Sequence, residues 1–236
     1  MKTLDRLIIT LAVLVGGGSI ILLVLGGSRA FTDFGWYERD LLLWDAGLSL
    51  IFFVQHSGMV RKSFRAWLAR RVPSVYHGAV YSIASGIVLA AVVLCWQRSD
   101  VVLWAAQGMQ RVLMHGVGFL GVLVFVWGAR SFQSFDILGI SPIRARLHGR
   151  GFQPGPFEIR GPYSWVRHPL YSAILVMFWS NPDITTDRLL FNTLWSAWIV
   201  GSTFLEERDL VREFGTQYTE YQHHVPMLIP YRKPWP

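Results

Sequence analysis

From position 7 to position 28 this 236-residue chain runs for 22 residues without a charged side chain. As a helix that run reaches roughly 33 Å, enough to cross a hydrocarbon core of about 30 Å. Few features narrow the possible folds so sharply, because a backbone in lipid must satisfy its own hydrogen bonds, and only helices and closed barrels do so. The run exceeds the roughly 7–15 apolar residues of a secretory signal, and Gly16-Gly17-Gly18 falls inside it rather than at a cleavage site. It is therefore expected to persist as a first span, with the small residues allowing close helix packing. Residues 41–60, 76–96 and 112–129 give three more, the first of these carrying Asp45 near its start and Gln55, His56 and Ser57 near its end. Residues 170–182 and 189–205 are shorter, and Asn181-Pro182-Asp183 between them is a turn signal, so the pair reads as a helical hairpin.

Composition agrees with the spans. Hydrophobic residues make up 52% of the chain and charged residues 16%, where a soluble domain carries roughly a quarter charged. A disordered chain, a disulfide-knit domain and a nucleic-acid-binding tail all fit poorly. Cys95 stands alone, which excludes an intramolecular disulfide and a cysteine-cluster metal site. The expected fold is an all-α integral membrane protein of about five to six transmembrane or hairpin helices with a cytosolic C-terminal cap. Residues 1–129 form the N-terminal spans and 130–236 the helical hairpin and cap, together one integrated membrane domain.

The net charge of +7 acquires a meaning from its positions. Residues 61–71 hold five basic side chains and no acid, and 130–169 holds six arginines against Asp136 and Glu158. The 29–40 loop has two basic and three acidic residues, and the 98–111 loop is nearly neutral. The positive-inside rule then places the N-terminus, the 61–71 loop and the 130–169 segment on the cytosolic side, in what is expected to be a bacterial inner membrane. The basic excess is read as orientation, and no nucleic-acid partner is expected. Within 149–162, four glycines and three prolines make an irregular backbone, which a membrane face tolerates only where it is covered or binds something.

At that cytosolic mouth His148, Arg160, Tyr163, Arg167, His168 and Tyr171 gather, followed by Glu206, Glu207, Arg208 and Asp209 at the end of the last apolar run. Ionisable groups at membrane depth are candidates for function, while interfacial anchors around a solvated cap explain the same residues equally well. Metal-ligand, nucleophile-elbow and dinucleotide signatures are all missing. Adjacent His223 and His224 cannot both face one metal on a regular helix, so no metal is expected.

The stretch Gly161-Pro162-Tyr163-Ser164-Trp165-Val166-Arg167-His168-Pro169-Leu170-Tyr171, followed by Leu205-Glu206-Glu207-Arg208-Asp209-Leu210, Phe214-Gly215, Tyr218, Tyr221 and Val225-Pro226, resembles the C-terminal half of the isoprenylcysteine carboxyl methyltransferase superfamily. Upstream, Gln55-His56-Ser57-Gly58-Met59-Val60-Arg61, Phe64, Trp67, Val72-Pro73 and Phe135-Asp136-Ile137-Leu138-Gly139 resemble the branch of methanethiol S-methyltransferases and the related denitrification-associated NnrU membrane proteins. The resemblance implies S-adenosylmethionine as methyl donor, bound in a cytosolic pocket without a Rossmann domain, which makes 130–236 with its cytosolic C-terminal cap the cofactor-binding region. Its contacts fall on Gly155, Pro156, Phe157, Glu158, Tyr163, His168, Pro169, Leu170, Tyr171, Glu206 and Glu207. The arginine that carboxyl methyltransferases place four positions before the glutamate is Thr203 here. A carboxylate acceptor wants a bidentate cation and a neutral thiol does not, so the change favours a thiol.

The expected reaction is therefore methyl transfer to a small thiol such as methanethiol, giving dimethyl sulfide, with an apolar site open to the lipid bilayer. The expected catalytic residues are His56, His168, Arg167 and Glu207: the histidines deprotonate or orient the thiol, Arg167 screens the donor's carboxylate, and Glu207 takes its ammonium or ribose hydroxyls. Two alternatives stand beside it. One keeps the donor and methylates a prenylcysteine carboxylate or another apolar or lipid acceptor, and the other is a noncatalytic membrane protein like the NnrU group. The sequence carries no sign of an oligomeric state.

Overall fold

The computed structural model describes residues 2–26, 31–131, 136–153 and 157–235. Its contacts divide the chain into two compact units, Met1–Asp100 with Asp136–Pro154 and Val101–Phe135 with Gly155–Pro236. Among the described residues four helical stretches are long and apolar enough to cross a membrane: Lys2–Val24, Glu38–Met59, Ser74–Cys95 and Gly108–Ser131. They coincide with the four long runs of the sequence.

In the first unit, α1 (Lys2–Leu11) passes through wider π-helical turns at Ala12–Gly17 into α2 (Gly18–Gly26). The helix starts before the uncharged run and so carries Asp5 into a buried position. The charge is matched there. Tyr76 donates to Asp5 at 2.7 Å, and the Arg146 guanidinium pairs with the same carboxylate. Then follow α3 (Glu38–Met59), the short α4 (Lys62–Ala69), α5 (His77–Cys95) and, after a gap in the unit, α7 (Ser141–Leu147).

Close approach explains how α5 seats on the first span. A Cβ at Gly86 would lie 2.7 Å from the Val15 carbonyl oxygen, and one at Gly16 would lie 2.2 Å from Ser82 Oγ. Gly16 thus does what small residues do between spans, whereas Gly18 has nothing within 4 Å. At one end of the unit Asp136 accepts from the Ile140 and Ser141 backbone N–H groups at 3.0 and 2.6 Å, opening α7. Between them Gly139 turns at φ +63° directly against Gly78 of α5. At the other end Asp45 accepts from the Gln97 backbone N–H at 2.9 Å, and Trp44 donates to the Cys95 carbonyl at 3.0 Å. Phe34, Trp36 and Trp44 cluster beside them, as aromatic residues do at a membrane interface.

The second unit contains β1 (Val102–Ala105), α6 (Gly108–Ser131), α8 (Pro169–Trp179), β2 (Asp183–Thr185), α9 (Thr186–Phe214) and α10 (Thr216–His224). Pro169 opens α8 at a position where the missing N–H costs nothing. The helix runs antiparallel along α6, past a file of glycines. Cβ atoms at Gly128, Gly121 and Gly118 would press on Leu170, Met177 and Ser180 in turn. Beyond Ser180 the chain extends, and β2 pairs antiparallel with β1, Ala105 opposite Asp183. This small sheet departs from the all-helical expectation, which treated 98–111 as a plain loop and 181–183 as a plain turn. β-branched residues on both sides make the pairing possible, and Arg111 grips Asp183 at 2.5 Å.

A second departure concerns α9. The apolar run ends at Leu205, but the helix goes on to Phe214 because no glycine or proline interrupts it before Gly215, which turns at φ +58°. Glu206 and Glu207 therefore lie inside a helix rather than at its end.

Candidate active site

In the second unit a short 3-10 turn, Gly161–Ser164, leads from the irregular segment into α8. Gly161 sits at φ +58°, and a Cβ there would press on Ser131 and Trp127, so a side chain has no room. The turn leads into Arg167 and His168, which lie just ahead of α8, and their N–H groups donate to the Pro226 and Met227 carbonyls at 2.9 and 3.1 Å. Ser172 adds a bond to the Leu228 carbonyl at 2.7 Å. Residues far along the chain thus complete the frame that carries Arg167 and His168.

Glu207 is the centre of this frame. Arg167 grips it in a fork, Nε to Oε1 and Nη2 to Oε2, both at 2.7 Å. His168 Nε2 stands 2.8 Å from Oε1, Tyr218 donates to Oε1 at 3.0 Å, and Gln222 Nε2 donates to Oε2 at 2.5 Å. The remaining guanidinium nitrogen of Arg167 donates to the Gln222 carbonyl at 3.2 Å and to the Val225 carbonyl. Burial works against ionisation of Glu207, but the bonds from His168, Arg167 and Gln222 outweigh it and hold the carboxyl down at about 2. Burial, reinforced by the Glu207 charge, pushes the Tyr218 phenol up, so this hydroxyl stays a donor.

An ionised carboxylate only accepts, so His168 Nε2 carries the proton of this bond and Nδ1 is the ring nitrogen left to meet a ligand. Nδ1 looks toward Glu206, whose Oε2 is 4.0 Å away. Glu206 accepts from the Tyr171 hydroxyl at 2.9 Å, and the Tyr171 ring stacks on His168 at 5.6 Å. The Tyr163 phenol, raised to about 12 by burial and by the Glu206 charge, belongs to the same group. The two adjacent glutamates differ completely in surroundings: the Glu206 side chain is 44% exposed and that of Glu207 is 8% exposed.

The other expected contact residues scatter around this centre. Phe157 packs among Phe214, Tyr218 and Tyr221, and Glu158 pairs with Arg160 at 3.0 Å. Pro169 is fully buried, and Leu170 fills the space over Gly128. Gly155 and Pro156 lie outside the described residues. His56 belongs to the first unit, where Tyr81 Oη and Ser85 Oγ flank its ring nitrogens at 2.6 and 3.2 Å. Gln222 was not among the expected residues. The signal that marks it is its place one helical turn after Tyr218, which puts both donors on one face of α10.

Thr203, one turn before Glu207, is fully buried and donates to the Ile199 carbonyl at 2.7 Å. A guanidinium has no space there. Thr203→Arg is expected to lower the melting temperature in detergent by about 5–10 °C, as overpacking and an unpaired buried charge require. Thr203→Ser should stay near wild type by the same measurement.

No solved structure matches this chain. A methanethiol S-methyltransferase from Pseudomonas sp. is 34% identical to it over 192 residues, 81% of this chain and 74% of the relative. Another from Crocosphaera subtropica is 31% identical over 191 residues, 80% of this chain and 75% of the relative. Nurim from Sus scrofa is 26% identical over 184 residues, 72% of this chain and 68% of the relative. The NnrU protein family matches residues 46–227, a span that takes in His56 of the first unit and every side chain gathered on Glu207 in the second, and the chain belongs to that family.

Proposed function

We propose that this protein is an integral-membrane methyltransferase that transfers a methyl group from S-adenosylmethionine to a small thiol such as methanethiol. The observation that carries the reading is its identity with methanethiol S-methyltransferases over four fifths of the chain. The donor set of the second unit fits the methyl donor. A carboxylate left open on Glu206, beside the stacked faces of His168 and Tyr171, suits a ligand bearing a sulfonium and an ammonium. Thr203 in place of a cation favours a thiol acceptor over a carboxylate.

S-adenosylmethionine supplies an electrophilic methyl group when bound. The protein's part is to align, to exclude water and to take one proton from the thiol. His168 Nδ1 would accept that proton as the thiol sulfur bonds to the methyl carbon and the donor's sulfonium–methyl bond breaks, leaving the donor as a neutral thioether, and Glu207, held by Arg167, would stabilise the resulting imidazolium through Nε2–H. Glu206 orients the donor through its ammonium or ribose hydroxyls. Arg167 and Glu207 act through His168 rather than on the ligands, because their hydrogen-bonding groups are engaged with one another and with residues 222 and 225.

The membrane arrangement proposed with this chemistry has five to six helices, residues 1–129 supplying the first spans and 130–236 a cofactor-binding region with a cap. The N-terminus and site face the cytosol of a bacterial inner membrane. Support for a crossing hairpin comes from the second unit alone. At about 1.5 Å per residue α8 is too short to span, but it starts beside Gly128 of α6, and β2 reaches Arg111 and β1 at that helix's other end.

Purified protein supplied with labelled S-adenosylmethionine and methanethiol should release labelled dimethyl sulfide into the headspace. Transfer only to a prenylcysteine or a lipid, or no binding of the donor by folded protein, would overturn the proposal. His168→Asn is expected to lower kcat by about 10²–10⁴-fold. Glu206→Gln should instead raise KM for the donor, leaving kcat within about threefold, as loss of a ground-state contact requires.

A further inference from the structure

The cationic helix between two spans of the first unit has no place in the chemistry above. α4 lies between the ends of α3 and α5 and packs on both. Around it residues 61–71 carry Arg61, Lys62, Arg65, Arg70 and Arg71 without a single acid. Among the described residues none of the five forms an ion pair with a carboxylate. The acids from elsewhere at this end of the unit are already engaged, Asp5 by Tyr76 and Arg146, and Asp136 by the backbone that opens α7. Among the described residues the five charges therefore have no carboxylate partner.

The other side of α4 is apolar and graded in depth. Leu68 is buried against the unit, while Trp67 is 46% exposed, with the Phe64 ring tilted against it at 5.3 Å. The Arg71 guanidinium lies over the Trp67 ring at 4.4 Å, which keeps a cation and an amphipathic aromatic at one level. A tryptophan beside arginines at the end of a span is the composition of the headgroup layer. A basic helix lying there attracts anionic lipid, each cation adding a favourable increment.

We propose that α4 with its flanking arginines is a binding surface for anionic phospholipid headgroups, so that the protein gathers phosphatidylglycerol-type lipids around the first unit. The phosphate is met by Lys62, Arg65, Arg70 and Arg71, and the acyl region by Trp67 and Phe64. This surface is independent of the methyl-transfer reading, and its test does not use turnover.

Full-length protein, purified and delipidated in detergent, is given equal amounts of phosphatidylglycerol and phosphatidylethanolamine, and bound lipid is counted by native mass spectrometry. The expected preference for phosphatidylglycerol is about fivefold or more, since one cation near an anionic surface already contributes about that factor. The quadruple variant K62Q/R65Q/R70Q/R71Q should lose the preference, and K62R with R65K, R70K and R71K should keep it. Should the glutamine variant fail to fold, wild type alone decides: its preference must fall as sodium chloride is raised to about 0.5 M, where screening shortens the reach of surface charge. Equal binding of the two lipids, a preference insensitive to salt, or a preference retained by a folded glutamine variant would overturn the proposal. So would displacement of the lipid by inorganic phosphate at matched ionic strength, which marks a site for free phosphate.

Discussion

Glu207→Gln is expected to lower turnover by about 10²–10⁴-fold and stability by about 3 kcal/mol, the largest loss at any single polar side chain of the site. The carboxylate accepts from Arg167 twice, and from His168, Tyr218 and Gln222. An amide keeps the shape but turns one oxygen into a donor. That donor faces Gln222 or His168, and the Arg167 guanidinium, whose side chain is 9% exposed, is left without its counter-charge. A donor opposite His168 Nε2 favours the wrong tautomer and takes the accepting lone pair away from Nδ1. Thermal melting and steady-state kinetics of the same preparation test both effects. Wild-type values for both would refute the arrangement, and Glu206→Gln, exposed and singly bonded, serves as control with a melting shift near zero.

The same carboxylate sets an acid limit. Its ordinary value is 4.5 and the folded protein holds it at about 2. Its stabilising effect is complete above pH 4.5, and it is lost as the pH falls from there toward 2, because the unfolded chain takes up the proton first. The span corresponds to about 3 kcal/mol. Acid unfolding of wild type in detergent should steepen across this window, and that slope should be missing from Glu207→Gln.

Gly139→Ala is the largest expected backbone effect. Its methyl would sit 2.1 Å from the Gly78 carbonyl carbon and 2.3 Å from the Gly78 Cα, atoms that belong to a span and cannot swing aside. The residue is also at φ +63°, where an L side chain is strained. Together these should cost about 3 kcal/mol or more, a melting temperature lower by about 10 °C. Gly47→Ala is the matched control, since it lies within α3 with nothing within 4 Å and should be neutral or slightly stabilising. Equal melting of the two variants would show that α5 and the segment before α7 do not touch as described.

The spans were legible because uncharged length is a property of the linear chain. Asp5 was not, since its acceptance into a buried helix depends on Tyr76 and Arg146, 71 and 141 positions away. The pairing of β1 with β2 escaped for a similar reason: each strand is too short to announce itself and exists through the other. Within the site, the Arg167-His168 and Glu206-Glu207 pairs stood out through their resemblance to a known superfamily. Which glutamate turns inward did not. Neighbours on a helix point about 100° apart, and only the packing of α10 and the segment beyond it decides that Glu207 faces Arg167 while Glu206 stays open. Gln222 escaped because a single amide on a polar helix looks like any solvated residue until its partner is placed.

The bonds from Arg167 to the Val225 carbonyl, and from the residues beside it to 226–228, also carry a schedule. Arg167 and Val225 are 58 positions apart, so at the usual ribosomal pace of about 5–20 residues per second the guanidinium waits roughly 3–12 s for that partner to be made. The four long apolar helices all end before Arg167, so they can already have entered the bilayer during this interval. The spans are thus inserted before the cluster around Glu207 exists, and a nascent chain arrested in α10 should be membrane-embedded yet unable to hold His168 in place.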